Sequence, residues 1–135
     1  MRVLIIGLGS VGESIAHDID SKKHDVIAIE KQIDNFKDSF LPESKKVLGD
    51  GSLISVLEKV DAAKCDIAII VSGSDDTNLV ASIACKLVFG ISNVYTRVND
   101  TKNEWLFDES WGVDHAISIP TVITKTIDDD ILSNI

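Results

Sequence analysis

The 135-residue sequence predicts an α/β fold, a single domain built on a doubly wound parallel six-stranded sheet in the order 3-2-1-4-5-6. Three observations carry this expectation. Short β-branched runs alternate with helix-period stripes along the whole chain. The connections are short and pass through helices, so the strands run parallel with right-handed crossovers. A glycine-rich turn joins the first strand to the first helix, where a doubly wound fold uses one.

Val3-Leu4-Ile5-Ile6 is an unbroken apolar run ended by Gly7, the pattern of a strand buried on both faces. Val11, Ile15 and Ile19 recur at i+4 and give the first helix. Val26–Ile29 is the second strand, and a short helix around Ile33–Phe40 stops before Pro42. Lys46–Leu48 is a short third strand. Leu53, Val56, Leu57 and Val60 form the next helical face, with Ser52 placed to cap it. Ile67–Val71 is the most apolar strand. Val80, Ile83, Ala84, Leu87 and Val88 mark a helix stopped by Gly90. Asn93–Val98 is the fifth strand. A helix is expected near Thr101–Trp111, ended by Gly112, with Trp105 and Trp111 packed under the last helix. His115–Ile119 is the sixth strand, and Pro120 opens the last helix in its first turn.

Composition excludes several functions. With 13 basic and 22 acidic residues the net charge is −9, which repels nucleic acid and anionic membrane surfaces. Cys65 and Cys85 lie in apolar stretches and read as buried, reduced thiols. No Cys or His cluster has metal-ligand spacing, so no metal is expected. No apolar run approaches the roughly 20 residues of a membrane helix, so a soluble, cytoplasmic chain is expected, without direct membrane insertion. His17, His24 and His115 are not spaced with a serine or cysteine nucleophile, and no catalytic residue is assigned.

The candidate binding residues cluster where parallel strands end. Gly7-Leu8-Gly9-Ser10-Val11-Gly12 follows a strand and opens a helix, the context in which this pattern binds a pyrophosphate. Gly7 allows the tight turn, Gly9 lets phosphate approach the backbone, and Gly12 lets the helix pack close to the sheet. The helix N-terminus adds free N–H groups and the positive end of a dipole. Glu30, at the end of the second strand, can accept from both ribose hydroxyls and would repel a 2′-phosphate; Lys31 beside it weakens that repulsion. Gly49-Asp50-Gly51-Ser52 offers Asp50 to a base amine, although a plain turn with a helix cap accounts for the same residues. In Ser72-Gly73-Ser74-Asp75-Asp76-Thr77-Asn78, the paired carboxylates suit a helix start or metal and acid/base work. Arg97 reaches the same edge, as a phosphate partner or as half of a surface salt bridge.

Taken in order, these segments, with Val113-Asp114-His115-Ala116-Ile117, resemble the RCK (KTN, TrkA-N) nucleotide-binding domain of Trk/Ktr-type potassium uptake regulators and potassium channels. The resemblance covers about residues 1–133. It implies a regulatory, non-enzymatic Rossmann domain over 1–135 that binds NAD(H) or an adenine nucleotide (ATP, ADP or AMP). By position, Gly7, Gly9 and Gly12, with Leu8, Ser10 and Val11 between them, would hold phosphate, and Glu30 with Lys31 the ribose. Asp50, Gly51 and Ser52 would lie by the adenine; Ser72, Gly73, Asp75 and Asn78 would line the cleft; and Arg97 would face the phosphates. Glu109 falls near a position that in some relatives helps hold a cation with the nucleotide. Glu30 departs from the aspartate of many relatives by one methylene.

The implied partners are a second copy of the chain, as a dimer or a larger ring, and a membrane potassium channel or transporter subunit. The family places a smaller lobe after the last helix, so the sequence reads as an N-terminal domain or a short stand-alone member. Ile123, Ile127, Ile131 and Ile135 recur at i+4 past the end of the sheet, and residues 120–135 are expected to dimerise. Two other readings share the fold: an NAD-dependent dehydrogenase fragment, and a redox or nucleotide sensor for a soluble partner.

Overall fold

The computed structural model describes residues 1–134; Ile135, the last member of the isoleucine row, lies outside the described residues. The six expected strands form one parallel sheet in the order β3-β2-β1-β4-β5-β6. They are β1 (Arg2–Ile6), β2 (Asp25–Glu30), β3 (Lys46–Leu48), β4 (Ile67–Ile70), β5 (Asn93–Arg97) and β6 (His115–Ile117). The helices are α1 (Ser10–Ser21), α2 (Ile33–Asp38), α3 (Ile54–Lys59), α4 (Asp75–Ile83) and α5 (Ile119–Ser133). No helix among the described residues is long and apolar enough to cross a membrane.

Alternation along β1 builds two cores. Leu4 and Ile6 point to one face, where Ile29, Ala68, Ile70 and Val94 meet Val56 and Leu57 of α3 and Ala81 of α4. Val3 and Ile5 point to the other, where Val26 and Ala28 meet Ala16 of α1 and Leu41. Burial on both faces is why β1 carries no polar residue after Arg2.

Several expectations need correction. Residues 101–111 form two separate 3-10 helices, Thr101–Leu106 and Glu109–Trp111, in place of one continuous helix. The carboxylates of Asp100 and Asp108 accept from the N–H groups of Lys102 and Ser110, and each restarts the chain as a turn. Trp105 and Trp111 are 75% and 46% exposed and do not pack under the last helix. Ser52 does not cap α3; Leu53 holds that position, without a side-chain cap, and is itself exposed. β6 stops at Ile117, and α5 begins at Ile119 with Pro120 in its first turn. The helix expected up to Val88 is there, but beyond Ile83 it widens into a π turn, Ala84–Val88, in which the Phe89 N–H reaches back to the Ala84 carbonyl at 3.1 Å.

α5 stands apart from the other helices. It buries no residue, and Ile119, Ile123, Ile127 and Ile131 are each 52–57% exposed. The sheet face it leaves uncovered holds an apolar groove lined by Val11, Ile15, Ile69, Val71, Tyr95 and Ile117, among others.

Both cysteines are buried, as expected. Burial pushes the Cys85 thiol up to about 12 and also raises that of Cys65. Since the thiolate is the nucleophile, iodoacetamide at pH 8 is expected to label neither cysteine in the native protein and both in urea. Mass spectrometry of the labelled chain reads this directly, and rapid native labelling of Cys85 would contradict the packing.

Candidate functional site

β1 ends in a turn that only glycine makes cheaply. Gly7 has φ +105°, and its N–H donates to the Ile29 carbonyl at 2.9 Å, which ties the turn to β2. A methyl on Gly12 would fall on the Gly7 carbonyl oxygen, so α1 can approach the turn this closely only without a side chain there. The result is an α1 N-terminus aimed over the end of the sheet. No side chain caps it, which leaves the first-turn N–H groups open.

A cavity of about 480 Å³ opens at that point, within the range for small-molecule sites. It runs from the ends of β2 and β3, across the glycine turn, to the ends of β4 and β5. Of the residues singled out from sequence, Gly7, Gly9, Ser10, Val11, Glu30, Lys31, Asp50, Gly51, Ser72, Gly73 and Arg97 line it. Leu8, Gly12, Ser52, Asp75 and Asn78 do not, and neither does Glu109, which starts the exposed turn after Asp108. A Cβ added at Gly9 or Gly73 would meet nothing within 4 Å, so bare backbone faces open space at both ends of the phosphate region. This cradle fits a pyrophosphate.

The residues outside the wall are not idle. The Leu8 N–H donates to Glu30 Oε1 at 2.7 Å, and Gln32 N–H donates to Oε2 at 2.8 Å. Glu30 is therefore 94% buried and locked, and it still has one further lone pair on each oxygen to offer hydroxyls. The Ser52 hydroxyl and N–H both donate to Asp50 Oδ1, at 2.7 and 2.9 Å. These bonds, with Lys31 nearby, hold the Asp50 carboxyl below its usual range and keep it ionised.

Asp75 faces away from the cavity and accepts from Asn99 and Asp100 N–H groups and from the Asn99 and Asn103 side-chain amides. Burial raises its pKa, but these four donors outweigh burial, and the carboxyl lies below its ordinary value. Ser74 provides the side-chain cap of α4 by accepting from Thr77 N–H.

Gln32 and Asn35 line the cavity without having been singled out, and so do Ser74 and Thr77, which were quoted within the Ser72–Asn78 segment but given no ligand role. Gln32 follows Glu30 by two residues, and Asn35 lies one helical turn further. Their proximity to Glu30 was the available signal. Thr77 sits in the first turn of α4, so a second helix N-terminus borders the cavity.

Residues 3–119 match the TrkA-N domain family. The Trk system potassium uptake protein TrkA of Mycobacterium tuberculosis is 36% identical over 129 residues, covering 96% of this chain and 59% of that one. Thus the chain spans about 59% of the length of that relative. Among solved structures, GsuK bound to ADP superposes with a TM-score of 0.77 at 22% identity, over 95% of this chain and 33% of that one. The GsuK channel bound to NAD gives the same TM-score and identity, over 95% of this chain and 22% of that one. The chain belongs to the TrkA-N domain family.

The Asp75 geometry sets a pH dependence. A carboxyl whose folded pKa is lowered adds stability above its unfolded value of about 3.9 and loses it as pH falls through the folded value. Asp75→Asn is expected to lower the urea midpoint at pH 6, and the gap to the unchanged protein should close on acidification towards pH 2. A gap independent of pH would show that the ionised carboxylate is not what holds the 99–103 segment.

Proposed function

We propose that this TrkA-N domain is a nucleotide-binding regulator that takes NAD(H) or an adenine nucleotide (ATP, ADP or AMP) in the cavity and acts on a membrane potassium transporter or channel subunit. The observation that carries the reading is the order of chemistry along the cavity. Carboxylates lie at one end, bare glycine backbone and a helix N-terminus in the middle, and a guanidinium at the other end. That order suits adenosine at Glu30 and Asp50, a pyrophosphate over Gly7–Gly12, and its far charge at Arg97. The named relatives support the same reading: one is a potassium uptake protein, and two solved neighbours carry ADP and NAD.

A regulator needs a second element to move. In this reading residues 120–135 dimerise. Ile123, Ile127 and Ile131 each keep about half their surface exposed, and covering it is worth roughly 1 kcal/mol apiece. The apolar groove beside α1 offers a surface of the same chemistry. The cavity and the groove share Val11, Val71 and Arg97, so a ligand in one touches the wall of the other. A nucleotide that binds two dimer arrangements with different affinity shifts their populations, whereas one that binds both equally shifts nothing. The potassium pathway is then gated by the hinge of the dimer, with the domain held at the cytoplasmic side of the membrane through its partner. No chemistry is performed on the nucleotide.

Calorimetry with NADH, NAD, ATP, ADP and AMP is expected to give saturable binding by at least one of them, and NADPH should bind at least about tenfold more weakly than NADH because Glu30 meets the 2′-phosphate. Failure of all of them at millimolar concentration would sink the reading. Separately, Ile127→Asp is expected to convert a sedimenting dimer to monomer; an unchanged dimer would remove α5 from the interface.

A further inference from the structure

Asn78 has no exposed surface and does not line the cavity, yet all four of its side-chain hydrogen bonds go to residues that do. Its Oδ1 accepts from the Ser72 N–H at 3.2 Å and from the Ser72 hydroxyl at 2.5 Å. Its Nδ2 donates to the Ser72 carbonyl at 2.9 Å and to the Arg97 carbonyl at 3.1 Å. Every donor and two lone pairs of the amide are used, so the side chain has one orientation.

The position of these bonds matters. The β4–β5 ladder ends at the pair Ile70–Thr96. Beyond it the two chains part towards the cavity, and the Asn78 amide bridges them where backbone pairing has stopped. Asp75, one turn earlier on α4, holds the chain just after Arg97 through Asn99 and Asp100. The Arg97 carbonyl and the chain just after it are therefore both held by α4. An arginine side chain carries much rotamer entropy, and a fixed backbone confines the volume its guanidinium can sweep.

We propose that Asn78 is a positioning residue of the nucleotide site, which acts by fixing Arg97 against the phosphate furthest from the adenosine. This inference rests on the nucleotide reading above and adds a specificity to it. Asn78 should matter for ligands whose phosphates reach Arg97 and matter little for ligands that stop short. AMP, with one phosphate over the glycine turn, stops short; ADP reaches further.

The test is the ratio of ADP to AMP affinity by calorimetry. Asn78→Asp keeps the acceptor for Ser72 and removes both donors; Asn78→Ser removes the bridge without adding a buried charge. In either variant ADP affinity is expected to fall about tenfold with AMP affinity held within about twofold, the cost of a misplaced charge-assisted contact. In an Arg97→Gln background the same Asn78 substitutions should change ADP affinity less than about twofold, while lowering the melting temperature as much as before. Equal loss of AMP and ADP, an undiminished ADP loss in the Arg97→Gln background, or an ADP-to-AMP ratio unaffected by Arg97→Gln alone would each overturn the inference and leave the nucleotide reading standing. Binding of neither nucleotide by the unchanged protein would overturn both.

Discussion

The close contact between α1 and the turn after β1 is the constraint on which the rest depends. Because Gly12 carries no side chain, the helix can rest against the Gly7 carbonyl. Because Gly7 accepts φ +105°, the chain can reverse quickly enough to place the helix there. The same contact fixes the direction of the α1 dipole and leaves its first N–H groups over the carboxyl ends of the strands. Move the helix outward by the width of a methyl group, and Ala16 leaves the core under Val3 and Ile5 while the cavity loses its floor. One packing requirement thus sets both a part of the core and the centre of the candidate site.

The sheet was legible in the sequence because burial on two faces leaves a strong mark. A strand such as Val3–Ile6 cannot tolerate polar residues on either side, and each run was bounded by a glycine or a helix stripe. Residues 101–111 were not legible for the opposite reason. Thr101, Lys102, Asn103 and Glu104 carry no apolar period, and the two tryptophans, which look like core residues by type, are exposed. What shapes that segment is local: Asp100 and Asp108 bonding two residues ahead. Only Leu106 and Phe107 of the segment pack inward, and with so little buried, short-range capping overrides periodicity. The π turn at Ala84–Val88 was not legible either, since its residues read as ordinary helix.

The cavity was legible at the level of loops and less so at the level of single side chains. Position along a parallel sheet identifies which loops face a ligand. It does not say which polar groups within a loop turn inward to hold the loop itself. Asp75 and Asn78 have the residue types of ligands, but α4 carries both against the loops that follow β4 and β5, and their capacity is consumed by Ser72, Arg97 and the 99–103 segment there. Glu30 does both jobs: it ties the glycine turn to β2 through Leu8, is itself held by Gln32, and lines the cavity. A sequence pattern shared by binding and bracing residues cannot separate the two without coordinates.

The net charge of −9 bears on how such a site works. A general negative field repels a polyanionic nucleotide at long range, with a reach of about 8 Å at physiological ionic strength. Binding must then come from short-range donors held in place before the ligand arrives, because flexible ones would add an ordering cost to an already unfavourable approach. The bracing network answers that need. Backbone N–H groups on a glycine turn cannot move far, Glu30 is locked by one of them, on Leu8, and by the Gln32 N–H, and the Arg97 carbonyl is held by α4 through Asn78. In the proposed reading the same rigidity suits a sensor. A preformed cavity spends little of the binding energy on its own folding, and in that reading the surplus is available to bias the proposed dimer.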